Sequence, residues 1–162
     1  MSDILRLFFI IVLLTIGLAA YFLVISALFA NRVAKVQRVI NQMPGRASGV
    51  GLVNFLFFGI IAIILFSVAE NTSGAIQVIL TIPALLIAAL LIIILSFGLA
   101  GIVNVVGERI LPEQSSVKKS IWGSVLLTFA CALPFVGWFL LLPYLVFLGF
   151  GAVVLGFFQR DG

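Results

Sequence analysis

IWGSVLLTFACALPFVGWFLLLPYLVFLGFGAVVLGFF, residues 121–158, is an apolar block of 38 residues without a charge. As one α-helix it would be about 57 Å long, nearly twice the roughly 30 Å hydrocarbon core of a bilayer. It is interrupted by Pro134-Phe135-Val136-Gly137-Trp138, and Pro and Gly three apart are a turn signal. Trp122 and Trp138 lie sixteen residues apart, about 24 Å along a helix, and Trp favours membrane interfaces. The two tryptophans therefore bracket one short span, and residues 138–158 make a second of about 31 Å. The block is expected to be a helical hairpin, with spans at about 118–133 and 138–158.

The rest of the chain follows the same logic. Of 162 residues, 64% are hydrophobic and 9% charged, against roughly 25% charged in a soluble domain. No soluble fold of this size could hide so much apolar surface, whereas lipid solvates it. Upstream apolar blocks cover about residues 4–29, 50–69 and 76–106. The first is too long for a signal-peptide core of roughly 7–15 residues and is expected to be retained. The third, at about 48 Å, must tilt, kink at Pro83 or protrude. The expected fold class is all-α: one polytopic helical bundle over residues 1–162, with five spans.

The loop at 31–48 carries Arg32, Lys35, Arg38 and Arg46 and no acid. Val33, Val36 and Ile40 fall on one helical face, with the cations to its sides. This reads as a short basic amphipathic helix, ended by Pro44-Gly45 and suited to lying on an anionic leaflet. Cytoplasmic loops are enriched in Lys and Arg. With that loop inside, eight of the nine basic residues are inside and Arg6 is outside. The N-terminus is then outside and the C-terminus cytoplasmic. The net charge of +4 reflects these flanking residues, so nucleic acid is not an expected partner.

The inventory of reactive groups is thin. There is no His, and Cys131 is the single Cys. Asp3, Glu70, Glu108, Glu113 and Asp161 all lie at ends or in loops, with no spacing that suggests a paired acid and base. No metal site, cofactor or catalytic set is expected. A coupled transporter needs intramembrane charges or a polar break around a site, and the flanks of Pro134 are apolar.

Other polar and small residues point to helix packing. Asn54 and Asn104 close two nearly identical tetrapeptides, Gly51-Leu52-Val53-Asn54 and Gly101-Ile102-Val103-Asn104. They are candidates for a hydrogen bond between neighbouring spans, and equally for facing headgroups. Ser96, Ala100 and Asn104 recur every four positions, as do Ala152 and Gly156 near Gly149. Such small-residue faces allow helices to approach closely. The sixteen phenylalanines suit lipid contact, and also quinones or pigments.

The basic segment Phe29-Ala30-Asn31-Arg32-Val33-Ala34-Lys35-Val36, then Pro44-Gly45-Arg46-Ala47, and later Leu133-Pro134-Phe135-Val136-Gly137-Trp138 with its Gly-rich tail form a pattern. Over about residues 5–158 it resembles the multi-span membrane domains associated with bactofilin-type polymer-forming proteins of bacteria. That resemblance implies a membrane anchor or partner of an assembly, without chemistry of its own. The expectation is thus a non-enzymatic, multi-pass scaffold of the bacterial inner membrane. Its partners would be membrane lipids, other membrane or cytoplasmic proteins, or copies of itself. An accessory subunit of a respiratory or photosynthetic complex, and a small uncoupled channel or transporter, are the alternatives.

Overall fold

The computed structural model describes residues 2–133 and 135–158. All regular structure among them is helical: α1 (Ser2–Leu28), α2 (Ala30–Gln42), α3 (Pro44–Glu70), α4 (Ala75–Ile110), α5 (Ser116–Ala132), a π-helical segment (Val136–Leu141) and α6 (Leu142–Phe158). Four stretches among the described residues are long and apolar enough to cross a bilayer: Phe8–Leu28, Pro44–Glu70, Ala75–Ile110 and Val136–Phe158. The remaining expected span, at 118–133, corresponds to α5, whose 17 residues are about 25 Å long.

Local chemistry accounts for the boundaries. Pro44 opens a helix instead of only ending one. It occupies the first turn of α3, where its missing N–H has no partner to lose. The second long helix therefore starts six residues before the expected 50, and Arg46 rides on α3 instead of on the amphipathic helix. The carbonyls at the end of α3 are satisfied from the following loop. Asn71 Nδ2 donates to the Ser67 carbonyl at 2.7 Å, and Thr72 Oγ1 donates to Ala69 at 3.0 Å. Gly74, at φ 70°, makes the left-handed turn into α4. α4 then runs unbroken through Pro83 for 36 residues, about 54 Å, and ends beyond the expected 106.

The break expected at Pro134–Trp138 is where α5 stops. Pro134 itself lies outside the described residues. Phe135 has φ 67°, and the chain re-enters as a π-helix, in which the Leu142 N–H bonds the Gly137 carbonyl five residues back. Pro143 follows at once and has no N–H to give the Phe139 carbonyl, which removes one α-register bond at this point.

Packing rests on glycines set against backbone. A Cβ on Gly51 would overlap the Phe147 carbonyl, and one on Gly151 would overlap the Ala47 carbonyl, so α3 and α6 cross antiparallel with their backbones in contact. Gly98 of α4 meets Gly149 of α6 in the same way. Gly107 faces Lys119 and Gly123 faces Val103, which runs α5 antiparallel along α4. The face of α5 there is small and polar: Ser120, Gly123, Ser124 and Thr128 are buried. Ser124 and Thr128 return their hydroxyls to the carbonyls of Ser120 and Ser124, both at 2.8 Å. Along α1 the pairs Tyr21–Ser96 and Ser26–Asn104 make it parallel to α4.

These registers fix which helix ends share a side. The end of α1, all of α2, the starts of α3 and α5 and the ends of α4 and α6 lie at one end of the bundle. Phe157, in the last turn of α6, sits under Arg32 of α2, 4.8 Å from the guanidinium carbon. The α5–α6 unit thus leaves this end and comes back to it.

Filling a glycine crossing tests this packing. Gly51→Leu is expected to destabilise the detergent-solubilised protein by about 1–3 kcal/mol, the usual range for overpacking. Gly59→Leu, at a position with nothing within 4 Å, is expected to leave thermal stability unchanged by size-exclusion of heated samples. Equal losses would refute the crossing.

Candidate functional site

The sequence of α2 alternates apolar and basic positions so that one stripe is buried and the cations flank it. Val33, Val36, Val39 and Ile40 are the buried residues of this helix, with Val39 at 0% exposure. They do not meet lipid. Val33 packs with Phe22, Ala100 and Val103, and Val36, Val39 and Ile40 join the core formed by Ile102, Ala152 and Val153. A Cβ on Gly101 would overlap Val36, so glycine at that position of α4 is what lets α2 settle across it. The expectation of a helix lying on a leaflet by its apolar face is corrected accordingly: the bundle takes that face, and what remains outward is cationic.

Arg32 and Arg38 are exposed and Lys35 is half-buried. Arg46, exposed in the first turn of α3, directs its guanidinium to Met43 Sδ at 3.8 Å. Arg109 in the last turn of α4, with Lys118 and Lys119 in the first turn of α5, completes this end. Among the described residues it therefore gathers seven basic side chains against two acidic ones, Glu108 and Glu113. The other end holds Glu70 and, on α1, Arg6.

Two pockets flank α2. One, of about 240 Å³, lies between α2, α4 and α6 and is lined by Arg32 and Lys35 over the apolar side chains of Phe29, Val36, Phe97, Val153 and Phe157, with Gly156 at its edge. The second, of about 230 Å³, is polar and lined by Ser26, Gln37, Asn104, Glu108, Ser116 and Lys119 among others. A third, larger cavity of about 610 Å³ lies between α1, α4, α5 and the start of α6; apart from Thr128 and Cys131 its lining is apolar. No group of three or more metal-ligating side chains occurs among the described residues. No protein-family model, curated protein or solved structure matches this chain.

The packing candidates fall on interior seams. Ser96, Ala100 and Asn104 form the face of α4 that meets α1. Tyr21 donates to Ser96 Oγ at 2.7 Å, Ala100 is fully buried against the Phe22 cluster, and Asn104 Nδ2 donates to Ser26 Oγ at 2.9 Å. Gly149 meets Gly98, Ala152 lies in the core, and Gly156 faces the Lys35 side chain, whose Cβ would be 3.9 Å from a Cβ added there. Asn54 and Asn104 are not paired with each other, since Asn54 Nδ2 donates to the Val50 carbonyl of its own helix at 2.8 Å. Gly98 and Gly107 were passed over in the sequence, and Gly51 and Gly101 were noted only as the first residues of the two tetrapeptides. The Ala47–Gly51 spacing of small residues carried a signal, but which glycine opposes which depends on helix rotation.

The two asparagines should respond differently. Asn104→Leu removes an interhelical bond, and the expected loss is about 0.6 kcal/mol, at most about 1.7. Asn54→Leu removes only a bond within one helix and should cost less. Reversible unfolding in mixed micelles measures both, and a larger loss at Asn54 would contradict the assignment.

Proposed function

We propose that this chain is a non-enzymatic scaffold of the bacterial inner membrane that holds a partner assembly through a basic cytoplasmic platform. The observation that carries the reading is the way α2 is held. Its apolar stripe is locked into α4 and α6, so Arg32, Lys35 and Arg38 are presented on a rigid base and not on a mobile loop. A fixed array of cations recognises a complementary acidic surface better than a flexible one, because less side-chain and loop entropy is lost on binding. The acidic face of a bactofilin-like cytoplasmic polymer is a partner of suitable chemistry. A second copy of the chain is the other partner.

The orientation in this proposal puts the basic end in the cytoplasm, by the excess of Lys and Arg there. The N-terminus is then outside, the C-terminus inside, and the α5–α6 hairpin makes the fourth and fifth crossings. At about 25 Å, α5 is short for a core of roughly 30 Å. The aliphatic stems of Lys118 and Lys119 extend its reach by snorkelling, and the bilayer can thin around it.

Cysteine labelling in sealed inverted and right-side-out vesicles tests the orientation. In a Cys131→Ser background, Arg38→Cys is expected to react with an impermeant maleimide only from the cytoplasmic side. Thr72→Cys and Val136→Cys should react only from the opposite side. Labelling of Val136→Cys from neither side would sink the fourth and fifth crossings while leaving the orientation intact.

The scaffold role has its own test. Native mass spectrometry of protein released from its own membranes should show an assembly heavier than the 17.4 kDa chain. The assembly should weaken when Arg38 and Arg46 are both changed to Gln. A lone monomer that conducts ions in planar bilayers would refute the scaffold and favour a channel. Stoichiometric recovery with a cofactor-bearing complex would favour an accessory subunit.

A further inference from the structure

We infer that the pocket between α2, α4 and α6 is a binding site for one anionic phospholipid, with Arg32 and Lys35 on the phosphate and the apolar floor under the start of an acyl chain. The inference rests on the chain being a membrane protein and not on the scaffold reading.

The two halves of the pocket differ in chemistry. Its floor is Val36 and Val153, 3% and 4% exposed, backed by Phe97. Its rim is Phe29 and Phe157, both exposed, and its cationic wall is Arg32 and Lys35. Among the described residues no acidic side chain lines it. An anion with an apolar continuation matches both halves, whereas a free anion leaves the floor unused and a neutral hydrocarbon makes no use of the Arg32 guanidinium at the rim.

Size points the same way. Pockets that enclose a whole small ligand are roughly 300–1,000 Å³, and this one is about 240 Å³. It accommodates one end of an amphiphile whose remainder lies in the bilayer. Depth agrees as well. α2 crosses α4 at Ala100–Val103, and the first strongly polar residues of α4 beyond the crossing are Asn104, Glu108 and Arg109. Asn104 is about 6 Å further along the helix from Ala100. The pocket thus sits where the chain itself passes from apolar to polar, the level of a phospholipid's phosphate and glycerol.

Arg32 is arranged for this role. Its guanidinium lies over the Phe157 ring with 4.8 Å from its carbon to the ring centroid. That contact holds the Arg32 side chain at the rim of the pocket, where a guanidinium can grip phosphate oxygens in a fork. Gly156 is the structural condition for the pocket. A Cβ there would be at ordinary contact distance, 3.9 Å from Lys35 Cβ, so Ala is tolerated but a longer side chain grows into the space meant for the ligand.

The test uses delipidated full-length protein in detergent, titrated with dioleoyl phosphatidylglycerol and read by native mass spectrometry. Dioleoyl phosphatidylcholine and sodium phosphate are parallel arms. One phosphatidylglycerol per chain should be retained in preference to phosphatidylcholine. Arg32→Gln with Lys35→Gln should weaken that retention roughly 25-fold, from about fivefold per basic residue at an anionic leaflet. Gly156→Leu keeps every charge and should abolish the preference, and Gly156→Ala should not. Lys118→Gln, on the far side of α2, should bind as the parent does. Circular dichroism and size-exclusion profiles confirm that each variant is folded. Retention by folded Gly156→Leu, equal retention of phosphatidylcholine, or displacement of the lipid by millimolar phosphate would each overturn the site.

Discussion

Helices in a bilayer gain nothing from hiding apolar surface from each other, because lipid is as apolar as their side chains. What holds them is close contact between backbones, and that requires residues with almost no side chain. In this chain the contact is made at three glycine-lined crossings: Gly51 with Gly151, Gly98 with Gly149, and the Gly107 and Gly123 pair along α4 and α5. A Cβ at any of them would overlap backbone on the neighbouring helix. The crossings set α6 in the middle of the assembly, against both α3 and α4, and its buried share is correspondingly the largest of the candidate spans.

The position of α2 depends on this arrangement. Once α4 and α6 are side by side, their ends offer a shallow apolar bed made of Gly101, Ile102, Ala152 and Val153. Four branched residues of a thirteen-residue helix fill it. Such a helix would be marginal alone, since isolated helices of this length barely form in water. Packed onto the bundle it becomes a rigid bar carrying cations at the level where the spans turn polar. The scaffold reading and the phospholipid site both start from that bar. They differ in what they ask of it: the scaffold reading takes its cations as a surface for a partner, with Arg46 of α3 beside them, and the phospholipid site takes Arg32 and Lys35 at the pocket.

Outside these crossings the protein keeps its apolar side chains outward. From Ala75 to Phe97, Ala84 is the one buried residue of α4, and Ile79 and Leu86 are among its most exposed. An inside-out distribution of this kind is what lipid permits and water forbids. It also explains how few polar contacts are needed inside. Among the described residues Tyr21–Ser96 and Asn104–Ser26 are the side-chain hydrogen bonds that join distant helices, and both tie α1 to α4. That seam has no glycine crossing, so the hydrogen bonds set the register that glycine sets elsewhere.

The linear order of residues was sufficient for whatever depends on neighbours along the chain. Apolar runs longer than a bilayer core, the interruption around Pro134–Trp138, the 3.6-residue stripe of Val33, Val36 and Ile40, and the bias of Lys and Arg to one set of loops are all of this kind. Pro44 does follow the end of α2, as read, but its second role in opening α3 was not legible, because a proline is as compatible with the first turn of a helix as with the end of one. The tertiary structure decided what depends on helix rotation and on which helix lies beside which. It turned the apolar face of α2 from the leaflet to the bundle. It gave Asn104 a serine of α1 in place of Asn54, and it set Gly156 beside Lys35 to leave a pocket open. Small residues recur along every span of such a chain, and a one-dimensional pattern does not say which of them face each other. That is determined when whole helices pack, each crossing restricting the next, until the α5–α6 hairpin returns Phe157 to Arg32.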